Sequence, residues 1–274
     1  MPRRRGAGKE RRSRVSQGRH RSAVGRPASA SPRRSPRPLR VLVIAPHPDD
    51  AELAMGGTIA KMASLGHRVH VVDLTNGEPT PFGTPERRAE ESARAAEILG
   101  ITRSCLGLTN RELVHDLASR HRVAAEIRRE RPDMLFVPYF EDAHPDHRAA
   151  TLIAEDARFD AKLTKSRIPG EPHWTPRLFH YFATHLKIVP QPSFLIDTSG
   201  FDSIRRRAVL AYRSQFVDHR ANRRVVEWLD TAAKFFGSRI GAETAEPFYS
   251  RECVGIDDLA SIAARPDTGS LGGG

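Results

Sequence analysis

Two short, continuous apolar runs limit the fold of this chain more than any other feature: Val41-Leu42-Val43-Ile44-Ala45 and Met134-Leu135-Phe136-Val137. Neither alternates with polar residues, so a strand made from either run is covered on both faces, as in a parallel sheet between helices. Arg68–Leu74 and Ile101–Leu106 read as two more strands between them. Helical stretches fill the gaps. Gly56-Gly57-Thr58 opens one that runs to about Leu65 and stops at Gly66, a residue suited to left-handed backbone. Thr84-Pro85-Glu86 starts another, with a capping hydroxyl, a proline at the first position and an acid in the first turn; it ends at Leu99-Gly100. A third spans roughly Leu117–Arg131 and is closed by Pro132. This alternation predicts an α/β fold, a three-layer sandwich with a mostly parallel central sheet. Right-handed crossovers then bring the strand C-termini to one edge. After about Asp160 the pattern weakens. Leu178–Thr184 and Ser193–Ile196 read as strands, Phe201–Tyr212 and Asn222–Gly241 as helices.

The net charge of +11 is concentrated at one end. Residues 1–40 hold fourteen Lys/Arg against Glu10 alone, whereas residues 41–274 carry 30 basic and 32 acidic side chains. The expected organisation is therefore a disordered basic tail over 1–38, a folded domain over 39–262 and a flexible end over 263–274. An arginine-rich arm can bind nucleic acid non-specifically, but a near-neutral domain offers no basic surface to continue the track. The tail reads rather as a solvated extension, or as an upstream stretch included by a misplaced start codon. Cys105 and Cys253 form no CxxC pair, which suits a reducing cytoplasm. No apolar run approaches the roughly 18 residues that span a bilayer, and no apolar segment follows the N-terminal charges as in a secretory signal. The expectation is a cytoplasmic protein with no membrane partner.

The chemistry is concentrated in two short strings. Pro46-His47-Pro48-Asp49-Asp50-Ala51-Glu52 places a histidine and three carboxylates directly after the first apolar run, and His144-Pro145-Asp146-His147 follows the strand at 134–137. Both leave strand C-termini, where open α/β sheets bind ligands. Two histidines and one carboxylate make a three-ligand set with a fourth position open for water, as a catalytic zinc site needs. His47, Asp50 and His147 are the natural choice. Asp49 and Asp146 remain as proton acceptor and orienting partner, and His144 as a cationic or proton-donating group for an oxyanion and a leaving amine. Such a set also accepts iron, cobalt or manganese. Gly56-Gly57 lacks the dinucleotide fingerprint, and the acidic string before it would repel a pyrophosphate. His67, His70, His115, His121, His180 and His185 read as packing or surface residues.

These residues resemble the LmbE-like or PIG-L family of zinc-dependent N-acetylglucosamine deacetylases, which have a Rossmann-like fold. The resemblance covers about Val41 to Leu259. It rests on A-P-H-P-D-D-A-E at 45–52, G-G-T at 56–58, G-T-x-x-x-R-x-x-E at 83–91 and H-P-D-H-R at 144–148. It implies His47, Asp50 and His147 as metal ligands, Asp49 as general base, His144 as electrophilic partner oriented by Asp146, and Arg88 facing the substrate, with Arg87 adjacent. G-E-P-H at 170–173, A-Y-R-S-Q-F at 211–216 and the run at 235–248 look like the bacillithiol-biosynthesis subgroup, as does V-G-I-D-D-L at 254–259. That implies N-acetylglucosaminyl-malate as substrate, with a mycothiol-type or antibiotic glucosaminide as the alternative. Trp174 departs from the pattern, which has a basic residue after G-E-P-H. The resemblance also implies a homo-oligomer assembled through the region after the second string.

Overall fold

The computed structural model describes residues 37–256. The expected tails over 1–38 and 263–274 lie outside them, apart from Arg37 and Pro38, as does the expected domain end at 262. The first half alternates as expected. It runs β1 (Arg40–Ala45), α1 (Asp50–Ser64), β2 (Arg68–Thr75), α2 (Pro85–Leu99), β3 (Thr102–Leu108), α3 (Leu117–Glu130), β4 (Met134–Pro138) and α4 (Pro145–Ala161). The second half runs β5 (Arg177–Tyr181), β6 (Phe194–Asp197), α5 (Asp202–Ala211), the single turn α6 (Arg213–Phe216), α7 (Arg223–Ser238) and β7 (Ala245–Tyr249). The strands form one sheet in the order β3-β2-β1-β4-β5-β7-β6. The first five are parallel, and β7 is antiparallel to both its neighbours. This is the expected α/β architecture, with β7 and β6 added at one edge through antiparallel pairing.

The covering of β1 explains its lack of alternation. Val41, Val43 and Ala45 pack with Met55, Ile59, Leu99 and Val209, from α1, α2 and α5. Leu42 and Ile44 face the other way, against Val123, Ile127, Ile153 and Ala157 of α3 and α4. Each such side chain contributes about 1.5–3 kcal/mol on burial, so neither face tolerates a polar residue.

Three differences from the expected elements bear on the site. The helix after the first string begins at Asp50, not Gly56, and bends at Met55 (φ −146°, ψ 24°). The bend frees amide groups, and the buried Glu246 carboxylate takes them up: Gly57 N donates to Oε1 at 2.9 Å and Thr58 N to Oε2 at 2.7 Å. Gly57 permits this approach, since a Cβ there would stand 3.0 Å from both Glu246 Oε1 and Thr198 Cβ. The second string is not a loop throughout. Helix α4 starts at Pro145 and carries His147 in its first turn. Finally, β7 was hidden in the sequence, where residues 222–241 read as one helix. The helix stops at Ser238, and Pro247, a poor strand residue, masks the strand around it. Pro247 is tolerated because it pairs only with Leu195 of β6; β5 reaches only Phe248 and Tyr249. No helix among the described residues is long and apolar enough to cross a membrane.

Candidate metal centre and active site

Because β1 and β4 are adjacent and parallel, the segments that leave them emerge side by side. The donor atoms of His47, Asp50 and His147 all lie within 4.8 Å of one another. His47 Nδ1 is 3.0 Å from Asp50 Oδ2, and His147 Nε2 is 3.4 Å from the same oxygen. A tetrahedral zinc site with bonds near 2.0–2.1 Å separates its donors by about 3.4 Å. Both ring nitrogens of His147 are buried without a formed hydrogen bond, and Nε2, the one that faces Asp50, is free for a cation.

Each of the two imidazoles is backed by its own aspartate. His47 Nε2 is 3.1 Å from Asp146 Oδ2, and His147 Nδ1 is 3.1 Å from Asp142 Oδ2. Carboxylates placed this way fix ring orientation and tautomer in metal sites. Asp146 was expected to orient His144. Its carboxylate instead holds His47 and accepts the backbone amides of Arg111 (2.7 Å) and Leu113 (3.4 Å), while its own N–H donates to His144 Nδ1 at 3.2 Å. With those contacts made, Asp146 has little capacity left to join the alternative donor group His47, His144 and Asp146. The charge balance agrees. Burial opposes protonation of His47, but Asp146 and Asp50 outweigh it and hold the imidazole at about 9. Burial likewise opposes protonation of His147, and Asp50 and Asp142 raise it to about 10. Burial would raise Asp50, yet the two histidines hold it well below the usual carboxylate range. The pocket is built for positive charge.

Asp49 sits at the N-terminus of α1 in the left-handed region, with φ 99°, a strain of about 1–3 kcal/mol for a residue with a Cβ. Burial pushes its carboxyl up to about 7 against the opposing pull of Arg88. Arg88 is itself buried. Its Nη2 donates to Pro48 O at 2.5 Å and to Asp49 Oδ2 at 3.2 Å, while Nε and Nη1 have no hydrogen-bond partner. Gly77 (φ +75°) makes room for it, because a Cβ there would lie 3.0 Å from Arg88 Nη2. Arg87 points outward to Asp218 and Glu91, so Arg88 is the member of the pair that lines the cavity. Glu52, the third carboxylate of the first string, turns away to Arg103 and the Tyr212 hydroxyl.

Burial, then the positive fields of His47 and His147, lower His144 to about 4. It is neutral at pH 7. Since a backbone N–H can only donate, His144 Nδ1 is an acceptor and the ring proton is on Nε2. His47, Asp49, Asp50, Arg88 and His144 line one cavity of about 560 Å³, with His147 wholly buried behind them. His185, expected to be a packing or surface residue, also lines it. Its ring centroid is 5.4 Å from that of His144 and 5.6 Å from that of His147. It follows β5, the parallel neighbour of β4, so it leaves the same sheet edge. His70 and His180 are buried in hydrogen bonds away from the cavity, with Thr102 and Ser104 and with Glu155 respectively.

Comparison with known proteins agrees with the geometry. Residues 42–158 match the family PIG-L, GlcNAc-PI de-N-acetylase. The chain is 32% identical over 232 residues to diacetylchitobiose deacetylase of Thermococcus kodakarensis, spanning 76% of this chain and 81% of that one. It is 25% identical over 259 residues to the 1D-myo-inositol 2-acetamido-2-deoxy-alpha-D-glucopyranoside deacetylase of Salinispora arenicola, spanning 73% and 81% respectively. The crystal structure of a conserved protein from Thermus thermophilus, TT1542, has the same fold, with a TM-score of 0.75 at 39% identity over 80% of this chain and 98% of that one. By sequence and by fold, the chain belongs to the PIG-L family of deacetylases.

Proposed function

We propose that the chain hydrolyses the N-acetyl group of an N-acetylglucosaminyl conjugate with a divalent metal, zinc first among candidates, held by His47, Asp50 and His147. The observation that carries this reading is the convergence of two aspartate-backed imidazoles on Asp50, beside a strained, half-buried Asp49. Bound zinc supplies a Lewis acid that polarises water and the amide carbonyl. Asp49, with a carboxyl near 7, takes the proton from the attacking water and returns it to the leaving nitrogen. His144 donates a hydrogen bond from Nε2 to the developing oxyanion as a neutral imidazole. Asp146 fixes His144 through its backbone and His47 through its carboxylate. Arg88 tunes Asp49 from the cavity wall, with its Nε and Nη1 buried and without hydrogen-bond partners.

The sugar end is common to all the conjugates in view. The sequence resemblance points to a malate conjugate, whereas the relatives act, by name, on diacetylchitobiose and on an inositol glycoside. A cytoplasmic location is supported by two exposed free thiols, Cys105 and Cys253. The test is acetate release by zinc-loaded protein from a panel of acetylated glucosaminides, with Asp49→Asn as control. Release that is lost in the control supports the reading. No release from any glucosaminide, or equal release by the control, overturns it.

A further inference from the structure

The same cavity carries a second, apolar half that the deacetylation chemistry does not use. Helix α7 has a wider apolar arc than the core needs. Val226, Ala233 and Gly237 are buried beneath it, Val225 and Leu229 lie partly on the core, and these two with Trp228, Ala232 and Phe236 repeat at helical spacing along the cavity wall. Trp228 is 63% exposed, too much for a residue packed in the core. The segment after β5 faces it: from His185, beside the metal centre, the chain passes through Lys187 to Ile188 and Val189, the latter 80% exposed. One continuous space therefore joins the reacting atoms to an apolar wall.

Size and charge indicate the occupant. A cavity of about 560 Å³ is in the roughly 300–1,000 Å³ range that encloses a drug-sized ligand, and a single acetylated sugar at the metal leaves the far half unfilled. That half is continuous with the centre, so what enters it is the part of the substrate attached to the sugar. A malate group would bring two carboxylates that call for charged partners. Of the four Lys and Arg side chains lining the cavity, Arg88 is held by Asp49 with its two unpartnered nitrogens buried, Arg111 donates to Pro79 O, and Arg205 pairs with Asp202 and Asp230. Lys187 alone has no partner among the described residues.

We propose that the substrate is an N-acetylglucosaminide whose aglycone is apolar, aryl or alkyl, and docks between Trp228 and Leu229 of α7 and Ile188 and Val189. This rests on the deacetylase reading above and specifies the conjugate that the reading leaves open. The test compares kcat/KM of the zinc-loaded full chain on methyl, 4-nitrophenyl and malyl N-acetylglucosaminides. The aryl glycoside should exceed the other two by about tenfold or more, the discrimination an apolar pocket gives for a methylene or two. Trp228→Ala, and separately Val189→Asp, should bring the aryl-to-methyl ratio towards one; both side chains are exposed, so neither change threatens the fold. Equal rates on all three glycosides, or a preference for the malyl one, would overturn the proposal while leaving the deacetylase intact. Acetate from none of them would overturn the deacetylase reading and the proposal with it. Sedimentation of the same variants supplies the last arm. If Trp228→Ala dissociates a self-assembled form and leaves the ratio unchanged, the face belongs between copies of the chain and the proposal fails.

Discussion

Asp142 Oδ2 lies 3.1 Å from His147 Nδ1, with both side chains wholly buried, and Asp142 Oδ1 accepts the His144 backbone N–H at 2.7 Å. One carboxylate thus reaches the ring of His147, a proposed metal ligand, and the backbone of His144. Asparagine has a single acceptor oxygen, so Asp142→Asn must lose one of these contacts and turn a donor towards the other. Metal affinity should fall about 10- to 100-fold, the usual cost of losing such a partner. Competition with a fluorescent chelator reads this without reference to activity. An unchanged affinity would show that His147 is held by packing alone.

The pairing of Arg88 with Asp49 makes a prediction about pH. Burial raises the Asp49 carboxyl to about 7, and Arg88 is the main influence pulling it down. Replacing the cation leaves burial and the neighbouring carboxylates Asp50 and Glu52 less opposed. In Arg88→Gln the acid limb of kcat/KM should therefore move to higher pH, with a larger loss at about pH 6 than at about pH 8. A uniform loss at every pH would mean that Arg88 serves only to bind substrate.

How much of this was legible in the sequence depends on the range of the contacts involved. His47, Asp49 and Asp50 directly follow an apolar run that could only be a buried strand, and His144 and His147 follow another, so their meeting needed only parallel pairing of the two strands. Asp142 gave no such signal. It stands beside Glu141, and local spacing does not say which acid turns inward. His185 reaches the cavity only because β5 pairs with β4 across about forty residues of chain, a relation that periodicity does not report. Strand β7 was lost to Pro247, and the bend at Met55 depends on Glu246, which lies in that same strand.

Glu246 supports the site from a distance in sequence. It accepts the Gly57 and Thr58 amides at the bend of the helix whose first turn carries Asp50. Glu246→Ala leaves two buried N–H groups unpaired at the bend of α1. Hydrogen bonds to a charged group are worth about 1.5–3 kcal/mol, so a loss of stability of that order or more is expected in chemical denaturation. Glu246→Gln, which keeps one acceptor, should lose less. Equal losses in the two variants would assign the effect to cavity formation instead.

The two histidines proposed as ligands link metal, protons and stability. In the metal-free protein His47 is held at about 9 and His147 at about 10, against 6.5 for an ordinary imidazole. A group whose value is raised on folding stabilises fully below its unfolded value and loses that contribution as pH rises through the folded one. These two imidazoles therefore make the metal-free protein less stable from about pH 7 towards pH 10. A metal needs the binding nitrogen of each ring free of its proton, so its binding at pH 7 should release about two protons per ion, one from each imidazole, and its affinity should rise over the same window. Denaturation midpoints with zinc and with a chelator, measured from about pH 7 to about pH 9, should separate further at each step. Calorimetry in buffers of different ionisation enthalpy counts the protons directly. A constant separation with no proton release would mean that the imidazoles are already neutral in the metal-free protein, and that Asp50, Asp142 and Asp146 do not hold protons on them.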